Sequence, residues 1–257
     1  MSVQAWGAVT DCGLVRAANE DALLADPPVF IVADGMGGHA AGDVASWMAV
    51  DAFVDFVGRP AISVHDAEQA IGAANAAIVD AALSDPGRAG MGTTLSGLAS
   101  VVAGGTEHWM VFNVGDSRVY RLADGRLRQL TVDHSEAEEM VLAGQITREE
   151  ARGHRLRNIV TRSLGTDPAP VADSWVFPPS HHDRFLVCSD GLTTEVPDDR
   201  IERCLLEHQQ PQQAAEELLR LALAAGARDN VTVIVVDGTG GNAPDADTDT
   251  APRGGDG

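Results

Sequence analysis

The stretch VFIVADGMGGHAAGD, residues 29–43, decides how this chain is read. Five apolar residues of strong β preference run into Asp34, and the glycines that follow force a sharp turn: a strand that ends by presenting a carboxylate. Other runs have the same form. TTLSGLASVVA at 93–103, HWMVFNVGD at 108–116, DRFLVCSD at 183–190 and NVTVIVVD at 230–237 all read as strands. In RVYRLADGRLRQL the Asp124-Gly125 pair between two alternating runs predicts a two-residue antiparallel hairpin.

Helical periodicity is clearest at 42–58, through Val44, Trp47, Met48, Asp51 and Val54 to Phe56, and at 66–83, opened by Asp66. A third helix is expected over 211–225, with Pro211 in its first turn and Gly226 at its end. The order of strands, two helices, a block of strands, then helices and strands again predicts an α+β sandwich of packed sheets with helices outside, not a doubly wound parallel sheet. No repeat or linker divides residues 1–237, so one domain is expected. Beyond Asp237 the text GTGGNAPDADTDTAPRGGDG has almost nothing to bury, and 238–257 is expected to be a disordered acidic tail.

Composition removes several function classes. The 257 residues hold 38 acidic against 18 basic side chains, a formal charge of -20, which argues against a nucleic-acid partner. Every basic residue is Arg, so P-loop nucleotide hydrolysis, kinase chemistry and Schiff-base catalysis, which need a lysine, are excluded. Cys12, Cys188 and Cys204 form no C-x-x-C pair, so no disulfide framework or thiolate zinc site is indicated and a reducing cytoplasm fits. No run reaches the ~18 apolar residues of a membrane span, and no export signal opens the chain.

Asp34, Asp116 and Asp190 each end a strand-like run, and Asp229 stands just before one. A single such aspartate fits an ordinary turn or helix cap. Several delivered together would repel one another unless cations neutralised them, and hard oxygen ligands select Mg²⁺ or Mn²⁺ over zinc. With Glu20 and Asp21 in VRAANED, the chain has the carboxylates for a two-cation site with metals ~3.5–4 Å apart, which favours phosphate-ester hydrolysis.

The ordered motifs VRAANED, VADGMGGHAAGDVAS, GMGTTL, NVGDSRVYRL, LTVDHS, IVTRSLG, LVCSDGL and RDNVTVIVV, spread over roughly residues 5–237, resemble the metal-dependent protein phosphatase family, type 2C, in its bacterial branch. The resemblance implies an αββα sandwich of two central antiparallel sheets flanked by helices, with two or three Mn²⁺ or Mg²⁺ ions. It implies that Asp34 bridges two metals, that the Gly35 carbonyl binds one, that Asp190 and Asp229 complete the second, and that Asp116 serves a weaker third. Glu20 would hold metal-bound water with Asp21 behind it, Arg16 would grip the phosphate, and His39 would protonate the departing oxygen. Thr93, Thr94 and Ser117 are read as structural.

Residues 133–158 resemble the mobile flap of bacterial members, although their charges equally suit a solvated helical face. The sequence departs from the family pattern at Ala227 and Arg228, where glycines are common. The implied reaction is hydrolysis of phosphoserine or phosphothreonine by a metal-bridged hydroxide, without a phosphoenzyme. Its implied partners are Ser/Thr kinases and their substrates, met by a cytoplasmic monomer. Two alternatives are a catalytically silent phosphoprotein-binding scaffold of the same fold and a switch phosphatase acting on an anti-anti-sigma partner.

Overall fold

The computed structural model describes residues 2–37, 41–180 and 182–239. From the N-terminus, β1 (Ser2–Asp11), β2 (Asp21–Asp26) and β3 (Val29–Met36) lead into helix α1 (Gly42–Asp51). A short β4 (Ile62–Ser63) opens the long helix α2 (Val64–Ser84), followed by β5 (Gly92–Thr93), β6 (Leu95–Ala103), β7 (Thr106–Val114), β8 (Arg118–Ala123) and β9 (Arg126–Gln129). Two small helices, α3 (Glu136–Leu142) and α4 (Arg148–Arg152), precede β10 (Asp173–Phe177) and β11 (Asp183–Cys188). Helices α5 (Asp190–Glu195), α6 (Asp198–Glu207) and α7 (Pro211–Ala225) then run to the last strand, β12 (Val231–Thr239).

The strands form two sheets. One has the order β1-β12-β11-β8-β9, the other β10-β7-β6-β3-β2, with β4 and β5 attached to β6 and β3. All pairings are antiparallel except the short β4–β6 contact. Because side chains alternate along a strand, each sheet has two apolar faces to cover. Phe30, Val32, Leu98, Trp109 and Val111 of one sheet meet Val119, Phe185, Val187, Ile234 and Val236 of the other. The outer faces are covered separately: Val29, Ile31, Val101 and Phe112 by α1 and α2, and Leu186, Cys188, Val233 and Val235 by α5, α6 and α7. The result is the expected α+β sandwich with two central antiparallel sheets flanked by helices.

Local differences have local causes. The expected strand 93–103 is broken at Thr94, whose hydroxyl accepts from the Asp34 amide (2.9 Å) while its own amide donates to the Asp34 carbonyl (2.9 Å). Helix α1 stops at Asp51 and is followed by a single 3₁₀ turn at Val54–Phe56. It buries the small residues Ala45, Ser46 and Ala49 and leaves Trp47 60% exposed, because it lies close against β3 of the sheet. The cap of α2 is Ser63 rather than Asp66. Ser63 Oγ accepts from the Asp66 amide, and the Asp66 carboxylate accepts from the Ser63 amide, a capping box that sets the start two residues earlier than expected.

The hairpin at Asp124-Gly125 forms with φ of 50° and 73°, the double positive φ of a primed turn. Strand β12 continues through Gly238 and Thr239, paired with β1 and β11, so the ordered strand passes the expected boundary at 237 by two residues. Residues 240–257 lie outside the described residues. Among the described residues no helix is long and apolar enough to cross a membrane.

Candidate metal centre

The alternation that builds the inter-sheet core also builds the site. On β3, Phe30 and Val32 face the other sheet, and the next residue in that series is Asp34. On β2, Leu23 and Ala25 do the same and Asp21 follows, in register with Asp34. On the opposite sheet, Phe185 and Val187 are succeeded by Ser189, and Val236 and Ile234 by Thr232. At one end of the sandwich the apolar filling therefore gives way to polar side chains on four strands at once. Ser189 Oγ and Thr232 Oγ1 donate to Asp21 Oδ2 at 2.8 and 2.6 Å. Asp21 Oδ1 is buried with no partner, a status shared among the described residues only by the Trp109 indole nitrogen.

The remaining carboxylates arrive from loops at the same end. Asp190 is the first residue of α5. A Cβ on Gly191 would collide with the Asn230 carbonyl, so only glycine lets α5 press against the loop that carries Asp229. Asn230 ties that loop to the N-terminal segment: its Nδ2 donates to the carbonyls of Cys12 and Ala18 (2.9 Å each), and its Oδ1 accepts from the Glu20 amide (2.8 Å). Gly35 is held in a similar vice. Its amide donates to the Glu20 carbonyl (3.1 Å), and a side chain there would strike the Gly42 and Glu20 carbonyls. Glu20 in turn places its carboxylate against Gly42 at the start of α1. Asp116 is buried in the turn after β7, which ends at Val114, and that turn is fixed by Thr94 Oγ1 against Ser117 Oγ (2.8 Å) and by the Gly115 amide donating to His134 Nδ1 (3.0 Å). Thr94 and Ser117 thus hold loops together as expected, and Thr93 does so through the Asp34 carbonyl.

Desolvation and mutual repulsion act together on four of these carboxylates. Burial first, and then the Asp190 and Asp229 charges, push the Asp21 carboxyl up to about 7 in spite of its two hydroxyl donors. Burial and the nearby Asp229 raise Asp190 to about 6. Asp34 and Asp116 are held well above the ordinary carboxylate range, Asp34 by burial and by Asp21, Asp190, Asp116 and Asp229, and Asp116 by burial and by Asp190 and Asp133. Among the described residues no ion pair forms to Asp21, Asp34, Asp116 or Asp190; Arg16 Nη2 instead reaches Asp229 Oδ2 at 2.7 Å.

No three acidic, histidine or cysteine side chains among the described residues close around a single point as a ready-made cage. The donor set is open and shared: carboxylates, a backbone carbonyl and one orphaned carboxylate oxygen. Hard divalent cations that keep part of their water suit such a set, and they would neutralise the repulsion that raises these carboxyls.

Of the residues singled out in the sequence, Arg16, Glu20, Asp21, Asp34, Gly35, Asp116, Asp190 and Asp229 come together at this end of the sandwich. His39 lies outside the described residues. Sequence reasoning passed over Ser189, Thr232 and His134, which orient the cluster without belonging to it. A signal existed for the first two, since they continue the inward-facing series of β11 and β12 by a step of two.

The model of the family described as protein phosphatase 2C matches residues 16–224. The chain belongs to the protein phosphatase 2C family. It is a serine/threonine protein phosphatase, and its fold and relatives agree over nearly the whole chain. The serine/threonine phosphatase Stp of Listeria welshimeri is 39% identical over 240 residues, 89% of this chain and 93% of that protein. The crystal structure of the Mycobacterium tuberculosis serine/threonine phosphatase PstP superposes with a TM-score of 0.83 at 38% identity, covering 92% of this phosphatase and 99% of that chain. The catalytic domain of PstP solved in complex with two manganese ions gives a TM-score of 0.80 at 37% identity over 90% and 96% of the two chains.

Proposed function

We infer that this phosphatase hydrolyses phosphoserine and phosphothreonine in proteins at a centre for two Mn²⁺ or Mg²⁺ ions, with room for a third. The observation that carries this reading is the group of desolvated, mutually repelling carboxylates Asp21, Asp34, Asp116 and Asp190, to which no guanidinium among the described residues is ion-paired. Asp34 would bridge the two ions, the Gly35 carbonyl would bind one, and Asp190 and Asp229 would complete the other. Asp116, beside Asp190, would serve the third ion. Glu20 and the free oxygen of Asp21 would hold ordered water, with Asp21 aimed by Ser189 and Thr232. When bound, the ions lower the pKa of water and offset charge on the transferring phosphoryl oxygens.

The chain's own groups supply the rest. Arg16 stands half-exposed at the mouth, and its planar fork can turn from Asp229 to two phosphoryl oxygens at once. His39, in the glycine-rich segment after Asp34, would give the proton to the departing seryl or threonyl oxygen. A cysteine phosphoenzyme is disfavoured: Cys188 is fully buried, and burial pushes its thiol well up from the ordinary value. Residues 1–239 would act as one catalytic domain, in a monomer that reverses the work of Ser/Thr kinases. Three free cysteines suit a reducing cytoplasm. The full carboxylate set speaks against a silent scaffold, and no relative named above is an anti-anti-sigma switch.

Purified protein is expected to cleave p-nitrophenyl phosphate and phosphothreonine peptides only with added Mn²⁺ or Mg²⁺. Turnover in excess chelator, or unchanged turnover in Asp190→Ala, would overturn the reading.

A further inference from the structure

A cavity of about 310 Å³ opens from the metal centre toward the helical hairpin of α3 and α4. Its walls contain many acids, and nearly all are already satisfied. Asp133 receives three hydrogen bonds from Arg118 (2.7–3.0 Å) and one from Gln129. Glu138 is bound twice by Arg148 at 2.7 and 3.2 Å, Glu195 by Arg228, and Asp198 by the Tyr120 hydroxyl. What remains unneutralised lies at opposite ends. Asp116 and Asp190 stand at the inner end, where cations belong.

Arg152 and Arg157 stand at the outer end, and among the described residues neither is ion-paired to a carboxylate, although Glu195, itself bound by Arg228, feels the Arg157 charge. Arg157 donates to Asn158 Oδ1 (3.0 Å) and to the Arg152 backbone carbonyl (3.4 Å), which brings the two arginines to one corner of the cavity. Arg157 also lines a second, smaller cavity of about 200 Å³ shared with Asp190 and Asp229, so it borders the centre from that side as well. The support beneath them is tied by side chains: Thr147 and Glu150 form a capping box at the start of α4, and the Glu138–Arg148 pair joins α4 to α3. In a chain of net charge -20, two arginines without an ion pair beside an acidic centre are a local reversal of sign.

We propose that Arg152 and Arg157 form a subsite for a second anionic side chain, carboxylate or phosphate, carried by the substrate a few residues from the phosphoserine or phosphothreonine that occupies the centre. The proposal rests on the phosphatase reading of that centre and adds a substrate class to it. Among the described residues neither guanidinium is ion-paired, so donors remain for such a group, and the cavity is a path from one charge to the other. Because the pair is open to water, its selectivity should be moderate and sensitive to salt.

The test uses the whole protein with Mn²⁺ and phosphothreonine peptides that carry Ala, Glu or a non-hydrolysable phosphonate at each flanking position in turn. At one position or more, kcat/KM is expected to favour the acidic peptide over its Ala counterpart by about 3- to 10-fold at low ionic strength, and less at high salt. Glu and phosphonate arms separate an acidic sequence context from a second phosphosite. In the double variant Arg152→Ala/Arg157→Ala the ratio should fall close to one, and in Arg152→Glu it should turn in favour of a Lys-flanked peptide.

Removing the same charge from β9 with Arg126→Ala/Arg128→Ala should leave the ratio in place. No acidic preference at any position, an unchanged ratio in both Arg152 variants, or equal loss in the β9 control would overturn the subsite. Failure to cleave the Ala peptide at all would instead overturn the reading of the centre. Since the outcomes that bear on the subsite are ratios within one protein preparation, partial misfolding of a variant does not imitate them.

Discussion

Strand β11 has an aspartate near each end, Asp183 buried and Asp190 half-buried, and the two live in opposite electrostatic worlds. Asp183, at its start, is 1% exposed, accepts from Arg121 Nε (2.8 Å) and from the Ser180 amide (2.8 Å), and is ion-paired to the same guanidinium. Asp190, just past its end, has no guanidinium bound to it and is pushed up to about 6 by burial and by Asp229. The same division runs through the molecule: Asp237 with Arg184, Asp133 with Arg118 and Glu138 with Arg148 are neutralised, while Asp21, Asp34 and Asp116 are not. A buried carboxylate with its own arginine holds the fold together. A buried carboxylate surrounded by others costs stability and is kept for chemistry.

The largest expected effects test that division with one substitution at each end. Asp34→Asn removes a charge from the repelling group, so turnover with Mn²⁺ should fall by about 10³-fold or more, equivalent to ~4 kcal/mol of barrier. Its melting temperature in chelator should nevertheless rise. Asp183→Asn leaves Arg121 without its partner and should cost about 3 kcal/mol of stability by denaturant titration, with turnover per folded molecule retained. If Asp34→Asn were destabilised and Asp183→Asn lost its activity while folded, the two ends would not differ in kind.

A smaller effect lies where the neutralised and unneutralised regions touch. His134 Nδ1 accepts from the Gly115 amide, next to Asp116, while its Nε2 lies 3.2 Å from Asp173, a residue also held by Arg162. The arrangement requires the neutral ring protonated on Nε2. Burial lowers its pKa from 6.5, against the opposing pull of Asp173. A group depressed in this way contributes stability that is complete above its unfolded value and is lost as pH falls through the folded value. The wild type should therefore lose stability below about pH 6.5, the unperturbed histidine value. His134→Asn, which keeps an acceptor for Gly115 but does not titrate, should give a flatter acid limb of melting temperature against pH. An equally steep limb would assign the loss to the paired carboxylates instead.

How much of this was legible in the sequence depends on whether a signal was local. Asp116 and Asp190 lie just past strand ends as read, whereas Asp34 sits inside β3, which runs on through Gly35 and Met36 paired with β5; the Asp124-Gly125 hairpin was readable because its φ values depend on two residues. The direction of Asp34 was not: Val29 to Ala33 is apolar on both faces, since helices cover one side and a sheet the other, so alternation is hidden. Outside the expected strands lies β1, which carries Gly7 in its middle. Gly7 is there so that α7 can approach, a Cβ at that position colliding with the backbone of Pro211 and Gln212. The cooperation of Ser189 and Thr232 at Asp21 joins residues more than 160 positions apart and appears only when β2, β11 and β12 converge.

The smallest effect concerns a departure from the family pattern. Ala227 takes φ of 30°, in the left-handed region where a Cβ is crowded, and lies fully buried two residues before Asp229. Ala227→Gly would relieve about 1 kcal/mol of backbone strain. It would also lose a buried methyl worth about 0.8 kcal/mol and add about 0.4–1 kcal/mol of freedom to the unfolded chain. These terms nearly cancel, so stability should change by less than about 1 kcal/mol. The informative reading is Mn²⁺ affinity by calorimetry. The Ala227 carbonyl accepts from the Leu14 amide (2.9 Å), and Asn230 fastens the same loop to Cys12, Ala18 and Glu20. If backbone and amide contacts of this kind place Asp229, affinity should survive the glycine within about twofold, a difference of ~0.4 kcal/mol. A tenfold loss would mean that the methyl's stiffness, and not the hydrogen bonds, keeps Asp229 in position beside the unneutralised carboxylates.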